Sequence, residues 1–222
     1  MKVSLIADKP FDTIIYIKAG TVSNAVAAYA EAALPVTAEL RAQLEQVMLT
    51  DSGFALREED GRLIFSATGL TAHASRPQLG KSGLKMLVKA LSACPAIGTN
   101  DMEIIRTAVL ATEDDYGEAM GAAYSDEQMG RTTMACTIAA TENGRLRLSY
   151  DNRVCAMQDA EKLYLAVCGA GRSLGYVCAP SLFQHVIAKC IDAKVNVEAY
   201  KANRDLLYDN LTAYGYECVK PD

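Results

Sequence analysis

Two stretches of this chain constrain its fold more than any other feature, because each places β-forming runs on both sides of a tight turn. In the first, Phe54 to Arg57 and Arg62 to Thr68 flank Glu58-Glu59-Asp60-Gly61. In the second, Thr132 to Thr141 and Arg145 to Val154 flank Glu142-Asn143-Gly144. Turns of this kind close hairpins, so the pairing they impose is antiparallel. Helical patterns separate them. Thr37 is a good N-cap for a helix carrying Leu40, Leu44, Val47 and Met48, which stops near Asp51-Ser52-Gly53. Gly80 to Ala93 sets Leu84, Leu87, Val88 and Leu91 on one face, and Pro95 ends it. Asp101 to Met120 and Asp159 to Leu174 also read as helices, whereas Thr13 to Ile17 reads as a strand. The alanine-rich segment from Asn24 to Leu34 fits either a helix or a surface strand. The order strand, helix, hairpin, helix, hairpin, helix predicts an α+β fold: an antiparallel sheet with helices packed on one face.

A boundary is expected near Pro180-Ser181. Beyond it, Leu182 to Lys194 and Val197 to Thr212 read as a C-terminal helical extension. The second helix carries Val197, Tyr200, Leu207 and Leu211 on one stripe, with Gly215 as a stop. The predicted domains are therefore residues 1–178 and 179–222.

Composition removes several function classes. Of 222 residues, 22 are Lys or Arg and 27 are Asp or Glu, a formal charge of −5 with no basic stripe, which disfavours nucleic acid as a partner. No run approaches roughly 18 apolar residues, so no membrane span is expected. The opening MKVSLIADKP is too short for a signal peptide. Seven cysteines without a CxxC pair read as reduced thiols in a cytoplasmic protein. The only histidines are His73 and His185, far apart and outside any HxD or HExxH spacing. A self-contained metal site, and with it any cofactor in this chain, is not expected.

Four stretches carry a family resemblance: AGTVSNAVAAYAEAAL (Ala19 to Leu34), SATGLTAHASRPQLGKSGLKML (Ser66 to Leu87), YSDEQMGRTTMACTIAATENGRLRLSYDNRV (Tyr124 to Val154) and DAEKLYLAVCGAGRSLGY (Asp159 to Tyr176). Together they resemble the lid, or dimerisation, domain of the zinc aminopeptidase–carboxypeptidase–aminoacylase superfamily, nearest the peptidase V type of bacterial dipeptidase. The resemblance spans roughly residues 12 to 178. It implies a ferredoxin-like lid that folds over a separate zinc-bearing domain. His73 matches the histidine that hydrogen-bonds the developing oxyanion, Asn24 an asparagine facing substrate, and Arg153 an arginine that holds a substrate carboxylate.

Each of these residues also has a plainer reading. His73 lies in a loop of small residues and turn formers, suited either to a cleft or to ordinary solvent exposure. Arg153 could clamp a carboxylate through its planar fork, or be a strand arginine like Arg145 and Arg147. Asn24 could cap a helix. The sequence also departs from the family: Ala27 replaces a proline, Ala135 and Thr137 replace an asparagine and a glycine, and Arg153-Val154-Cys155 replaces Arg-Tyr-Pro. These changes are expected to loosen turns or remove polar contacts near the cleft. The family's zinc ligands are absent.

The tail from Ala188 to Asp222 resembles a small-domain segment of fold-type I pyridoxal-phosphate aminotransferases, through Tyr200, Arg204-Asp205, Gly215 and Pro221. Lys162 lies within an amphipathic pattern without a phosphate-cradling loop, so a pyridoxal-phosphate site is not expected. The leading reading is a dipeptidase lid module, inactive alone, as a fragment or a chimera joined near Pro180. The alternatives are a subunit completed in trans by a zinc domain, with dipeptide as substrate, and a structural homo-oligomer without a ligand.

Overall fold

Alternation begins at the second residue, where Lys2 and Ser4 are exposed and Val3, Leu5 and Ala7 are buried; this is strand β1 (Lys2–Ala7). The computed structural model describes residues 2–155, 165–166, 169, 176–177 and 197–214. Strand β2 (Tyr16–Ala19) begins later than the sequence predicts. Its expected first residues are diverted: the backbone N–H groups of Asp12, Thr13 and Ile14 donate to the carboxylate of Asp101, at 2.7–2.8 Å. The alanine-rich segment resolves as strand β3 (Tyr29–Pro35), in which Ala30 and Ala32 are fully buried.

Helix α1 (Ala38–Met48) is capped by Thr37, whose hydroxyl accepts the Leu40 N–H at 3.2 Å. The first hairpin follows as β4 (Phe54–Glu59) and β5 (Arg62–Thr68). Helix α2 (Gly83–Ser92) buries Leu84, Leu87, Val88 and Leu91, each worth about 1.5–3 kcal/mol out of water. Helix α3 (Thr99–Thr112) ends well before Met120. The Asp114 carboxylate captures the N–H groups of Tyr116, Glu118 and Ala119, offering the backbone a turn in place of another helical turn. A short ribbon, β6 (Ser125–Asp126) with β7 (Gly130–Arg131), leads into the second hairpin, β8 (Thr133–Glu142) and β9 (Arg145–Arg153). Both central turn residues there, Asn143 and Gly144, have positive φ (51° and 74°).

The final strand, β10 (Tyr176–Val177), lies beside β1. The main sheet is wholly antiparallel, in the order β10-β1-β9-β8-β2-β3-β5-β4. Helix α2 packs on β3 and β5, α1 on β4, and α3 on α2. The Tyr150 hydroxyl donates to the Ala111 carbonyl at 2.7 Å, fixing α3 to the same face of β9. The fold is thus α+β, with an antiparallel sheet, helices on one face and a C-terminal helix. By register, the opposite face carries Lys2 and Ser4 of β1, Lys18 of β2, Glu31 of β3, and Asp151 and Arg153 of β9.

By internal packing the chain divides into Met1–Ala179 and Pro180–Asp222. Within the second unit, helix α4 (Val197–Ala213) exposes Leu206 and Leu207, and Arg204 ion-pairs with Asp205 at 2.9 Å. Among the described residues, no helix is long and apolar enough to cross a membrane. The expected helix from Leu182 to Lys194, most of the one from Asp159 to Leu174, His185, Lys162, Gly215 and Pro221 lie outside the described residues.

Candidate functional site

The loop that carries His73 is closed at its base by a reciprocal pair of 2.8 Å hydrogen bonds between the backbones of Leu70 and Lys81. Glycine is required beside that closure. A Cβ on Gly69 would stand 1.9 Å from the Lys81 carbonyl oxygen, and one on Gly83 would stand 2.4 Å from that of Ala28. Within the loop, the Arg76 N–H donates to the His73 carbonyl, and a 3₁₀ turn at Pro77–Leu79 follows. Ala74 is buried as an anchor, while His73 itself is exposed. The Ser75 N–H points at His73 Nδ1 from 3.2 Å, and the Ser75 hydroxyl lies 2.7 Å from the same nitrogen. Because a backbone N–H can only donate, Nδ1 accepts, and the neutral ring carries its proton on Nε2.

Asn24 belongs to the connection between β2 and β3, so it caps no helix. Its carbonyl accepts the Ala74 N–H at 2.9 Å, and the Val26 N–H donates to Ala72 at 2.8 Å. Ala25 and His73 are thereby bridged in antiparallel fashion. Asn24 and His73 sit on adjoining backbone segments.

Arg153 closes β9 on the face that carries Lys2, Lys18, Glu31 and Asp151. Its Nε and one terminal nitrogen both donate to Oδ2 of Asp151, at 3.1 and 2.8 Å. The Asp151 side chain is 6% exposed and that of Arg153 is 46% exposed, so a buried carboxylate orients a guanidinium that reaches solvent. An open groove of about 720 Å³ is lined by Asn24, Arg153 and Asp151, together with Lys2, Thr21 and Ser23 among others. Two of the three residues singled out in the sequence therefore share one groove. His73 stands outside its lining and is joined to it through the Asn24–Ala25 backbone.

Thr137 corrects one expectation. Far from removing a polar contact, its hydroxyl lies 3.2 Å from the Ser23 carbonyl and 3.4 Å from that of Ser149. The register of β8 against β9 shifts between Cys136 and Ile138, and this bulge brings Thr137 to the Asn24 loop. Lys2, which no sequence motif singles out, also reaches this loop: its Nζ donates to the Ser23 hydroxyl at 2.6 Å. The alternation Lys2-Val3-Ser4-Leu5 was the available signal.

Beside the groove, and sharing Thr21 and Val22 with it, is a cavity of about 350 Å³ lined mainly by Ala25–Ala28, Tyr29 and Lys18. On the same sheet face, Glu31 is almost completely buried, with its side chain 4% exposed. Tyr16 and Tyr29 donate to it at 2.7 and 2.5 Å, and Lys18 and Arg57 approach at 2.9 and 3.3 Å. Burial alone would raise this carboxyl. The bonds from Tyr29, Lys18, Tyr16 and Arg57 outweigh it and hold Glu31 down to about 2.

Among the described residues, no group of three or more His, Cys, Asp or Glu side chains is placed to hold a metal ion. No model of a known protein family matches the chain, and no characterised protein matches it in sequence.

Proposed function

We propose that this chain is the lid, or substrate-binding, module of a zinc dipeptidase whose metal is held by a separate domain, and that it is inactive alone. The observation that carries the reading is the convergence of Asn24 and Arg153 on one groove, with His73 tied by backbone bonds to the Asn24 segment. In this reading Arg153, pre-oriented by Asp151, holds a peptide carboxylate, and Asn24 hydrogen-bonds the peptide. His73 donates from Nε2 to the oxygen that gains negative charge as the scissile carbonyl is attacked. A donor aimed at such an oxyanion is worth about 3 kcal/mol in a site closed to water. No step passes through a metal on this chain. Cys94, Cys136 and Cys155 are buried free thiols, which supports a reducing, cytoplasmic setting.

The test is complementation. The full chain is mixed with the isolated zinc domain of a peptidase V type dipeptidase, and dipeptide hydrolysis is followed. The expected result is no turnover from the chain alone with added zinc, turnover from the mixture, and a kcat about 100-fold lower for His73→Ala with KM less affected. Turnover by the chain alone, or an unchanged kcat for His73→Ala, overturns the reading.

A further inference from the structure

Among the described residues, Lys2 is the one cation lining the groove that the reading above does not use. In the register of β1 against β9 it stands directly opposite Asp151, the carboxylate that orients Arg153. Arg153 lies two residues further along the same face of β9. Diagonal neighbours of this kind are roughly 7–8 Å apart at the backbone, within reach of one another for long side chains. A carboxylate between them could be met by an ammonium from one side and a guanidinium from the other. Among the described residues, the charged side chains lining the groove are Lys2, Arg153 and Asp151, a net +1 that matches a single carboxylate.

Lys2 has a resting partner that it can leave. Its Nζ bonds the Ser23 hydroxyl, but the Asn24 loop does not depend on that bond for its position. The Ser23 carbonyl faces the Thr137 hydroxyl, the Asn24 carbonyl accepts from Ala74, and Val26 donates to Ala72. A lysine ammonium has three donors on a flexible stem, so turning one toward a ligand leaves the loop in place.

We propose that Lys2 is a second carboxylate-binding residue, and that Lys2 and Arg153 together form a two-cation site for the free C-terminal carboxylate of a small peptide. The site is complete within this chain and needs no metal. This deepens the dipeptide reading and rests on it.

The experiment is calorimetric titration of the full chain with L-alanyl-L-alanine and with its C-terminal amide. The acid is expected to bind and the amide to bind at least about tenfold more weakly, the size expected for loss of a charge-assisted contact at an exposed site. Lys2→Gln should weaken the acid about tenfold and leave the amide unchanged, Lys2→Arg should restore the acid, and raised salt should weaken it. A thermal melt of each variant checks folding. If Lys2→Gln binds the acid as well as the parent chain while Arg153→Gln does not, the role of Lys2 is overturned and the dipeptide reading survives. If neither ligand binds, or acid and amide bind equally, the carboxylate site is overturned as a whole. His73→Ala in the complementation assay then decides the dipeptide reading separately.

Discussion

Glu31 shows how one carboxylate can be kept charged inside a sheet. It stands on β3 opposite Lys18 of β2, and donors reach it from β2 (Tyr16, Lys18), from β3 itself (Tyr29) and from β4 (Arg57). Its folded-state value of about 2 lies below the ordinary 4.5, so the folded state favours the charged form. The stabilisation is therefore complete above about pH 4.5 and is lost as pH falls through about 2. Glu31→Gln should cost about 2 kcal/mol near neutral pH, because charged donors lose their acceptor. Chemical denaturation of both proteins across that range is the check, and the difference between them should close as pH approaches 2. A difference independent of pH would mean that shape, not charge, sets the contribution of Glu31. Asp101 is the complementary case: fully buried, it spends its two oxygens on three backbone N–H groups and so decides where β2 begins.

The His73 loop is held at its base by close backbone approaches that only glycine allows. Gly69→Ala would drive a methyl group into the Lys81 carbonyl, so the Leu70–Lys81 closure must open. The expected cost is about 1–3 kcal/mol, with faster hydrogen exchange at the Leu70 and Lys81 amides than at those of α2. Unchanged exchange at these two amides would show that the closure does not hold the loop. Elements whose signals are local were legible in the sequence. Thr37 marks the start of α1, the stripe of Leu84, Leu87, Val88 and Leu91 marks α2, and Asp60-Gly61 and Asn143-Gly144 mark the hairpins. Elements decided by distant partners were not. The start of β2 depends on Asp101, roughly ninety residues away along the chain. The end of α3 depends on a side chain that competes with the helix for N–H groups, and β3 on alanines that suit a sheet closely covered by α2. The candidate site divides in the same way. Asn24, His73 and Arg153 were visible as residues, whereas Lys2 and Thr137 become neighbours of the Ser23–Asn24 segment only through strand order and a bulge.

At the scale of the whole molecule, the division after Ala179 predicts that the first unit folds without the second. A chain ending at Ala179 should keep a cooperative melt and an α+β circular dichroism spectrum, and should self-associate less once the exposed Leu206 and Leu207 are gone. Loss of cooperative unfolding would mean that the tail is a layer of the same domain. The pairing of β10 with β1 carries a wider consequence. Ile6 faces Val177 and Ala7 faces Tyr176, so the sheet edge at β1 is paired by a segment from the far end of the first unit. A pairing between the first strand and a segment at the far end of the first unit closes a long loop, so it is expected to form late in folding.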